Sequence, residues 1–349
     1  VGLGDVYKRQ PMKPLGPQAE KEQSDTGKYT ETGQPVVTAS KKGQSIAHIY
    51  ASHADEIACS RRTIYSYIDR GIFQARNIDL RRKVVYKQRK RKTTTSLKDR
   101  SFRKDRGYKE FLEYIAANKS VYVVEMDTVE GAKGTSPCFL TMFFRNCSLM
   151  LMFLLEEQTQ KEVTRFLIIE QSYLELNVSE LFEVILTDNG HEFQDRQSLE
   201  YSKNDEVRTR IYYCDPNRSD QKGALEKNHE YIRYVLPKGT SFEKMTDKTT
   251  LLLLNHINSE KRDSLNGHSP YEVSRLLLDN RLHKALGLAE IPADEVTLIP
   301  ALIKNNNNTG TGKFHCIEFS LSNRHVEFSP AHYFQMSFYH AKNYAVYAV

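Results

Sequence analysis

Five short apolar segments limit what this chain can fold into: Ser120–Asp127, Phe139–Phe144, Leu149–Leu155, Phe182–Thr187 and Arg210–Cys214. The most apolar of them, Phe139–Phe144 and Leu149–Leu155, are separated by Arg145 and Asn146 and fall far short of a membrane span, so no membrane partner is expected. All five predict strands of one buried sheet, with Arg145–Ser148 as the hairpin turn between the second and third. Helical patterns fill the gaps. Tyr108–Asn118 precedes the first strand, and Gln158–Leu174 repeats through Val163, Phe166, Leu167 and Leu174. Ser219–Leu236 has Ser219 at its cap and Pro237 closing it. Helices over Asp247–Asn258 and Ser269–Asp279 follow. Strands and helices in this order predict an α/β core, a mixed central sheet flanked by helices.

The chain has 349 residues, enough for about two domains. Residues 1–41, rich in Gly, Pro, Gln, Ser and Thr, read as a disordered or truncated remnant. Residues 42–72 predict a small all-α unit: Ile46, Ile49, Tyr50, Ala54 and Ile57 recur at helical spacing, then Ser60 caps a second helix that Gly71 stops. Two short helices on a tight connection form either a helix-turn-helix or an ordinary helical hairpin. With Ile64 and Ile68 inward, Arg61, Arg62, Tyr65, Ser66 and Arg70 are left to face a major groove and its phosphates. Residues 73–118 form a basic linker and short helix. From Arg81 to Lys109 there are fourteen Lys or Arg against two Asp, a net +12 that leaves the rest of the chain at −6. So concentrated a charge suits a polyanion, or else a solvated linker. The core spans 119–304, and the tail from 305 to 349 has no assigned pattern.

The five cysteines are widely spaced with no Cys-x-x-Cys pair, which argues against a disulfide framework or thiolate zinc site and fits a reducing cytoplasm. No apolar segment follows the first basic residues, so no secretory signal is expected. The chemistry lies in carboxylates. Asp127 and Asp188 are each expected at the carboxyl end of a strand, where open α/β sheets leave a crevice. On the helix from Ser219, Lys222, Glu226, Glu230 and Arg233 share one face, opposite Leu225, His229, Ile232 and Leu236. Gly223, costly in a helix, suggests close approach of another group. Each acid taken alone has a structural reading: Asp188-Asn189-Gly190 as a turn, Glu226 as a solvated ion pair. Three converging carboxylates repel unless a cation joins them, and oxygen-only donors suit a hard ion such as magnesium.

The motifs Val124–Gly131 and Leu186–Phe193, with Tyr213–Pro216 followed by Gln221–Arg233, resemble those of the insertion sequence thirty family of DDE transposases, within the retroviral-integrase-like superfamily. Pro237–Phe242 and Ser269-Pro270 extend the resemblance, which runs from about Gly43 to Lys304. It implies a ribonuclease H-like core preceded by a helix-turn-helix. It makes Asp127, Asp188 and Glu226 the catalytic ligands of two Mg2+ ions, with Mn2+ as substitute. Asn189, Gly190 and Gly223 support them, and Lys222 and Arg233 contact DNA phosphates. The implied function is cleavage at transposon ends and transfer of the 3′-hydroxyl into target DNA. Its partners are double-stranded DNA, terminal inverted repeats and target alike, with a homo-oligomer assembled on it at a bacterial nucleoid. The rivals are a ribonuclease H-like nuclease and an inactive or truncated copy that only binds DNA. The family's further N-terminal helix-turn-helix has no match in residues 1–41. The 37 residues between Asp188 and Glu226 are long for the superfamily, which suggests a loop insertion around Gln197–Arg208.

Overall fold

The computed structural model describes residues 36, 38–57, 59–81, 101–165, 181–201, 206–216 and 218–306. Most of the N-terminal remnant, the centre of the basic block, the second half of the helix expected over Gln158–Leu174, the middle of the suspected insertion and the tail from residue 307 lie outside the described residues.

Strands β1 (Val123–Glu130), β2 (Cys138–Phe144), β3 (Met150–Leu155), β4 (Val184–Thr187) and β5 (Arg210–Tyr213) form one sheet in the order β3-β2-β1-β4-β5. β2 is antiparallel to both neighbours, while β1, β4 and β5 run parallel. The α-helices are α1 (Ile46–Ser52), α2 (Arg61–Asp69), α3 (Tyr108–Ala117), α4 (Arg196–Glu200), α5 (Gly223–Val235), α6 (Asp247–Asn258), α7 (Pro270–Leu277), α8 (Asn280–Ala285) and α9 (Ala301–Asn306). Residues 160–165 are also helical. A mixed sheet with helices packed on it is the α/β core that the strand and helix order predicts.

Strand alternation sends successive residues of β1 into different cores. Val124 and Met126 join Leu225 and Ile232 of α5 and Leu253, Leu254 and Ile257 of α6 in the main cluster. Val123 joins Val184, Leu186, Tyr212 and Cys214 around Phe111 of α3. β2 is buried along its whole length, as an interior strand covered on both faces must be. At its start β3 takes a side-chain partner from α6: Asn258 accepts from Met150 N and donates to Met150 O, at 3.1 and 2.8 Å.

A separate cluster of Val36, Ala39, Ile46, Ile49, Ile57, Ile64, Ile68, Phe73 and Ala75 closes around α1 and α2. Ser60 caps α2 by accepting from Thr63 N, and Gly71 ends it with φ +69°, the left-handed geometry that favours glycine. Polar contacts fasten this unit to the C-terminal part of the core. Gln44 Nε2 donates to Ala293 O and Val296 O, and His53 Nε2 meets Asp294 Oδ1 at 2.8 Å. His48 is fully buried between the two parts. Its Nδ1 accepts from Lys261 N at 2.8 Å, which leaves Nε2 as the donor to Ala293 O at 3.0 Å.

His48 therefore has to be neutral, and burial lowers its pKa from the ordinary histidine value. Burial also holds His256, whose Nδ1 accepts from Thr297 N, down at about 4. Both imidazoles take up a proton near pH 6.5 once the chain unfolds but resist it when folded, so stability is lost as pH falls below about 6.5. Thermal melts should show a lower Tm at pH 5 than at pH 7.5. His256→Gln, which still accepts from Thr297 N, should flatten that slope.

Candidate active site

Parallel pairing of β1 and β4 runs through Val123↔Val184, Val124↔Ile185 and Glu125↔Leu186. Two residues beyond the last pair on each strand stand Asp127 and Asp188, which brings them side by side. Asp188 follows the end of β4 as expected. Asp127 does not end its strand: β1 continues to Glu130 because antiparallel pairing with β2 persists to Glu130↔Cys138. Asp127 lies at a strand end only with respect to β4. Its backbone carbonyl accepts from Thr141 Oγ1 at 3.0 Å, and Thr141 Oγ1 also meets His229 Nε2 of α5 at 2.8 Å. Burial, then the cations Lys222 and Arg233, depress the His229 pKa to about 3, so the imidazole stays neutral.

Between the two aspartates sits Lys222. Its Nζ is 3.0 Å from Asp127 Oδ2 and 3.7 Å from Asp188 Oδ2, and it donates to Met126 O at 3.3 Å. Lys222 is 3% exposed, so it does not share an outward face with Glu226. The helix phase expected of it does not apply, because Ser219–Lys222 is a 3-10 turn and α5 begins only at Gly223. Burial opposes the ammonium charge, yet Asp127 and Asp188 outweigh burial and raise the Lys222 pKa above the ordinary lysine value.

Ser219 was the expected cap, but a distant carboxylate takes that role. Glu125, 1% exposed in β1, accepts from Leu225 N in the first turn of α5 at 2.9 Å. Its other oxygen accepts from Arg145 Nε at 2.6 Å, and Arg145 Nη2 donates to Gln221 O at 3.0 Å. Gln221 in turn clamps Asp215, accepting from its N–H at 2.7 Å and donating to its Oδ2 at 3.0 Å. α5 is thus seated on β1 by a charge at its positive end. Glu125 and Arg145 went unassigned in the sequence, although an acid between Val124 and Met126 in a buried strand requires a partner.

Glu226 lies one residue past the seated turn and is exposed. Its pKa is raised, by partial burial first and then by Asp127 and Glu125 against the opposing pull of Lys222. It therefore stands in the field of Asp127. Among the described residues, however, no three His, Cys, Asp or Glu side chains are gathered closely enough to hold a metal ion. The structure brings Asp127 and Asp188 together on one cation and leaves Glu226 beside them. Close approach at Gly223 is not found: an added Cβ there meets nothing within 4 Å. Arg233 donates from Nη2 to Glu130 O at 2.9 Å, tying α5 to the end of β1, while its buried Nη1 has no hydrogen-bond partner.

The loop after Asp188 is tightly determined. Gly190 N donates to Asp188 Oδ1 at 2.8 Å, and Asn189 Nδ2 donates to Cys214 O at 2.8 Å. Close approach does occur at Gly190, where an added Cβ would lie 2.6 Å from Glu192 Oε2 and 3.0 Å from Asp188 Oδ1. Glu192, 3% exposed, accepts from Thr128 Oγ1 at 2.6 Å and Gln158 Nε2 at 2.7 Å. These contacts join the residue after Asp127 to the loop after Asp188. Glu192 was missed because its position in the loop carries no periodic signal.

On α2, Arg62, Tyr65 and Arg70 are exposed and Ser66 is half-buried, in keeping with an outward face. Arg61 instead forms an ion pair with Asp263, so the packed unit takes up a side chain that the helix pattern alone leaves free.

No protein-family model matches the chain. Over 150 residues, 43% of this chain and 44% of the relative, it is 29% identical to a putative integrase of Spiroplasma virus SpV1-R8A2 B. Over 226 residues, 62% of this chain and 59% of the relative, it is 26% identical to the probable transposase for insertion-like sequence element IS1161 of Streptococcus salivarius. A stretch of 103 residues, 30% of this chain and 29% of the relative, is 29% identical to the transposase for insertion sequence element IS1086 of Cupriavidus metallidurans. Each match spans less than two thirds of the relative's length. Among solved structures, the catalytic core domain of BIV integrase covers 43% of this chain and 91% of its own at 20% identity and TM-score 0.31. The HTLV-2 integrase catalytic core domain in complex with magnesium covers 44% and 95% at 14% identity and TM-score 0.31. The chain is thus similar in sequence to transposases and integrases of mobile elements.

Two glycine substitutions should have opposite outcomes. Gly190→Ala forces Cβ into the buried Glu192 carboxylate and should cost about 1–3 kcal/mol in urea unfolding. Gly223→Ala, at φ −59° with open space around it, should be neutral or add about 0.4–1 kcal/mol. Glu125→Gln removes the charge shared by Arg145 and the α5 amide, and should cost about 1.5–3 kcal/mol in the same measurement.

Proposed function

We propose that this chain is a DDE-type DNA transposase of the insertion sequence thirty kind, a polynucleotidyl transferase whose site residues are Asp127, Asp188 and Glu226. One observation carries this most directly: two aspartates from adjacent parallel strands share a single cation, beside a helix seated to present Glu226. The donors are oxygen only, and two carboxylates that already share one positive charge fit a hard divalent ion. Mg2+ or Mn2+, when bound, supplies charge stabilisation at the attacking and leaving oxygens of a phosphodiester.

The chain's own residues do the positioning. Parallel register sets Asp127 against Asp188, and the Glu192–Thr128 bond holds the two motifs at fixed spacing. Glu125 and Arg145 fix the start of α5 and thereby the place of Glu226. Water is the nucleophile at the transposon end, and the freed 3′-hydroxyl then attacks the target strand, so no covalent protein–DNA bond is needed. Residues 42–72 present Arg62, Tyr65, Ser66 and Arg70 to duplex DNA, and the basic linker over 73–118 adds phosphate contacts. Arg61 serves DNA only if its pairing with Asp263 opens. The protein works as a homo-oligomer on inverted repeats and target DNA, at the nucleoid of a bacterial cytoplasm. Among the described residues, no helix is long and apolar enough to cross a membrane.

The test pairs strand cleavage and strand transfer with DNA binding, using the full chain, Mg2+ or Mn2+ and duplexes carrying the element's inverted repeats. Asp127→Asn, Asp188→Asn and Glu226→Gln should each lower cleavage and transfer by at least about a hundredfold while binding stays within about twofold. Metal-dependent cleavage retained in Asp188→Asn would overturn the site. Preference for RNA–DNA hybrids over inverted-repeat duplexes would favour a ribonuclease H-like nuclease.

A further inference from the structure

Lys222 is the buried cation of the site, and the positioning described above does not use it. Its ammonium lies 3.0 Å from Asp127 Oδ2 and 3.7 Å from Asp188 Oδ2, and the residue is 3% exposed. Its backbone is held from both sides: Gln221 is clamped to Asp215 and Arg145, and Leu225 to Glu125. The Asp188 side chain that pairs with it is 46% exposed, so the buried ammonium faces a carboxylate that solvent reaches. Two carboxylates this close repel one another unless something neutralises them, and a buried lysine without them would bear an uncompensated charge.

We propose that Lys222 is a built-in counter-cation that holds Asp127 and Asp188 together before a divalent ion arrives, and that ion binding displaces it. The proposal rests on the reading of these aspartates as cation ligands. A divalent ion takes carboxylate oxygens at about 2.0–2.1 Å, closer than the ammonium stands, and like charges exclude each other from one pair of oxygens. Lys222 and the ion therefore compete, and each weakens the other's hold by the same factor. Lys222 keeps the site assembled in the absence of the ion, at the cost of lower ion affinity.

Mn2+ titration of the 349-residue chain by calorimetry tests this, with thermal melts in EDTA and in Mn2+ alongside. Lys222→Gln should bind Mn2+ at least about fivefold more tightly than the unsubstituted protein. Its Tm should fall in EDTA and recover with Mn2+, a recovery that a merely structural lysine would not show. In the unsubstituted protein, acetylation of Lys222 by an amine-reactive reagent, read by mass spectrometry, should rise when Mn2+ is added. This measurement decides the matter if the variant fails to fold. Equal Mn2+ affinity with and without Lys222, lost in Asp188→Asn, would overturn the counter-cation and leave the cation reading intact. The same holds for acetylation unchanged while Mn2+ binds. No Mn2+ binding in either protein would overturn the cation reading and the counter-cation with it.

Discussion

The carboxylate of Glu125 joins three things at once: strand β1, the amide end of α5 and the guanidinium of Arg145. A charge in a strand that is otherwise buried is tolerable only when its lone pairs are filled. Filling them here fixes where α5 begins. Had the helix started at Ser219, Lys222 would have turned outward with Glu226. Because the first turn is taken over by Glu125, Lys222 drops between Asp127 and Asp188 while Glu226 stays exposed. The placement of Lys222 and Glu226 therefore depends on a contact two residues before Asp127 and one residue before Glu226.

The second constraint is the parallel register of β1 and β4. It carries Asp127 and Asp188 to the same level, two residues past the last paired position, where β4 ends and β1 runs on beside β2. Gly190 lets Asp188 and Glu192 crowd together, and Glu192 reaches back to Thr128. The two aspartates are thus set by strand pairing, by a turn without a Cβ and by a buried bond between their flanking residues. Lys222 offsets the repulsion that so close a placement creates. His229 supports the arrangement from α5 as a neutral group, since its ring meets the same Thr141 hydroxyl that holds the Asp127 carbonyl.

The small helical unit has a hydrophobic cluster of its own, yet it is fastened to the 260s and 290s by His48, Gln44, His53 and Arg61. Those contacts include two ion pairs, an amide and a buried imidazole. Neutral His48 in particular must accept with one nitrogen and donate with the other. Arg62 and Tyr65 are exposed on α2, while Arg61 is engaged within the molecule.

Local pattern alone determined a good deal. Alternating and continuous apolar runs located all five strands to within about three residues at each end, because burial in a sheet demands those residues whatever surrounds them. Ser60 and Gly71 bounded α2 for local reasons, a side-chain cap and a left-handed backbone. The candidate acids were legible through their flanking motifs. What was not legible came from residues distant in sequence. Asp127 sits inside a longer strand because β2 pairs beyond it, and α5 starts late because Glu125 caps it. Gly223 has open space where Gly190 has none, Lys222 turns inward to two aspartates, and Arg61 pairs at the surface with an acid far along the chain. Periodicity records which side of an element is apolar. Only the packed structure decides which charges that side encounters, because Coulomb energy and desolvation depend on neighbours in space.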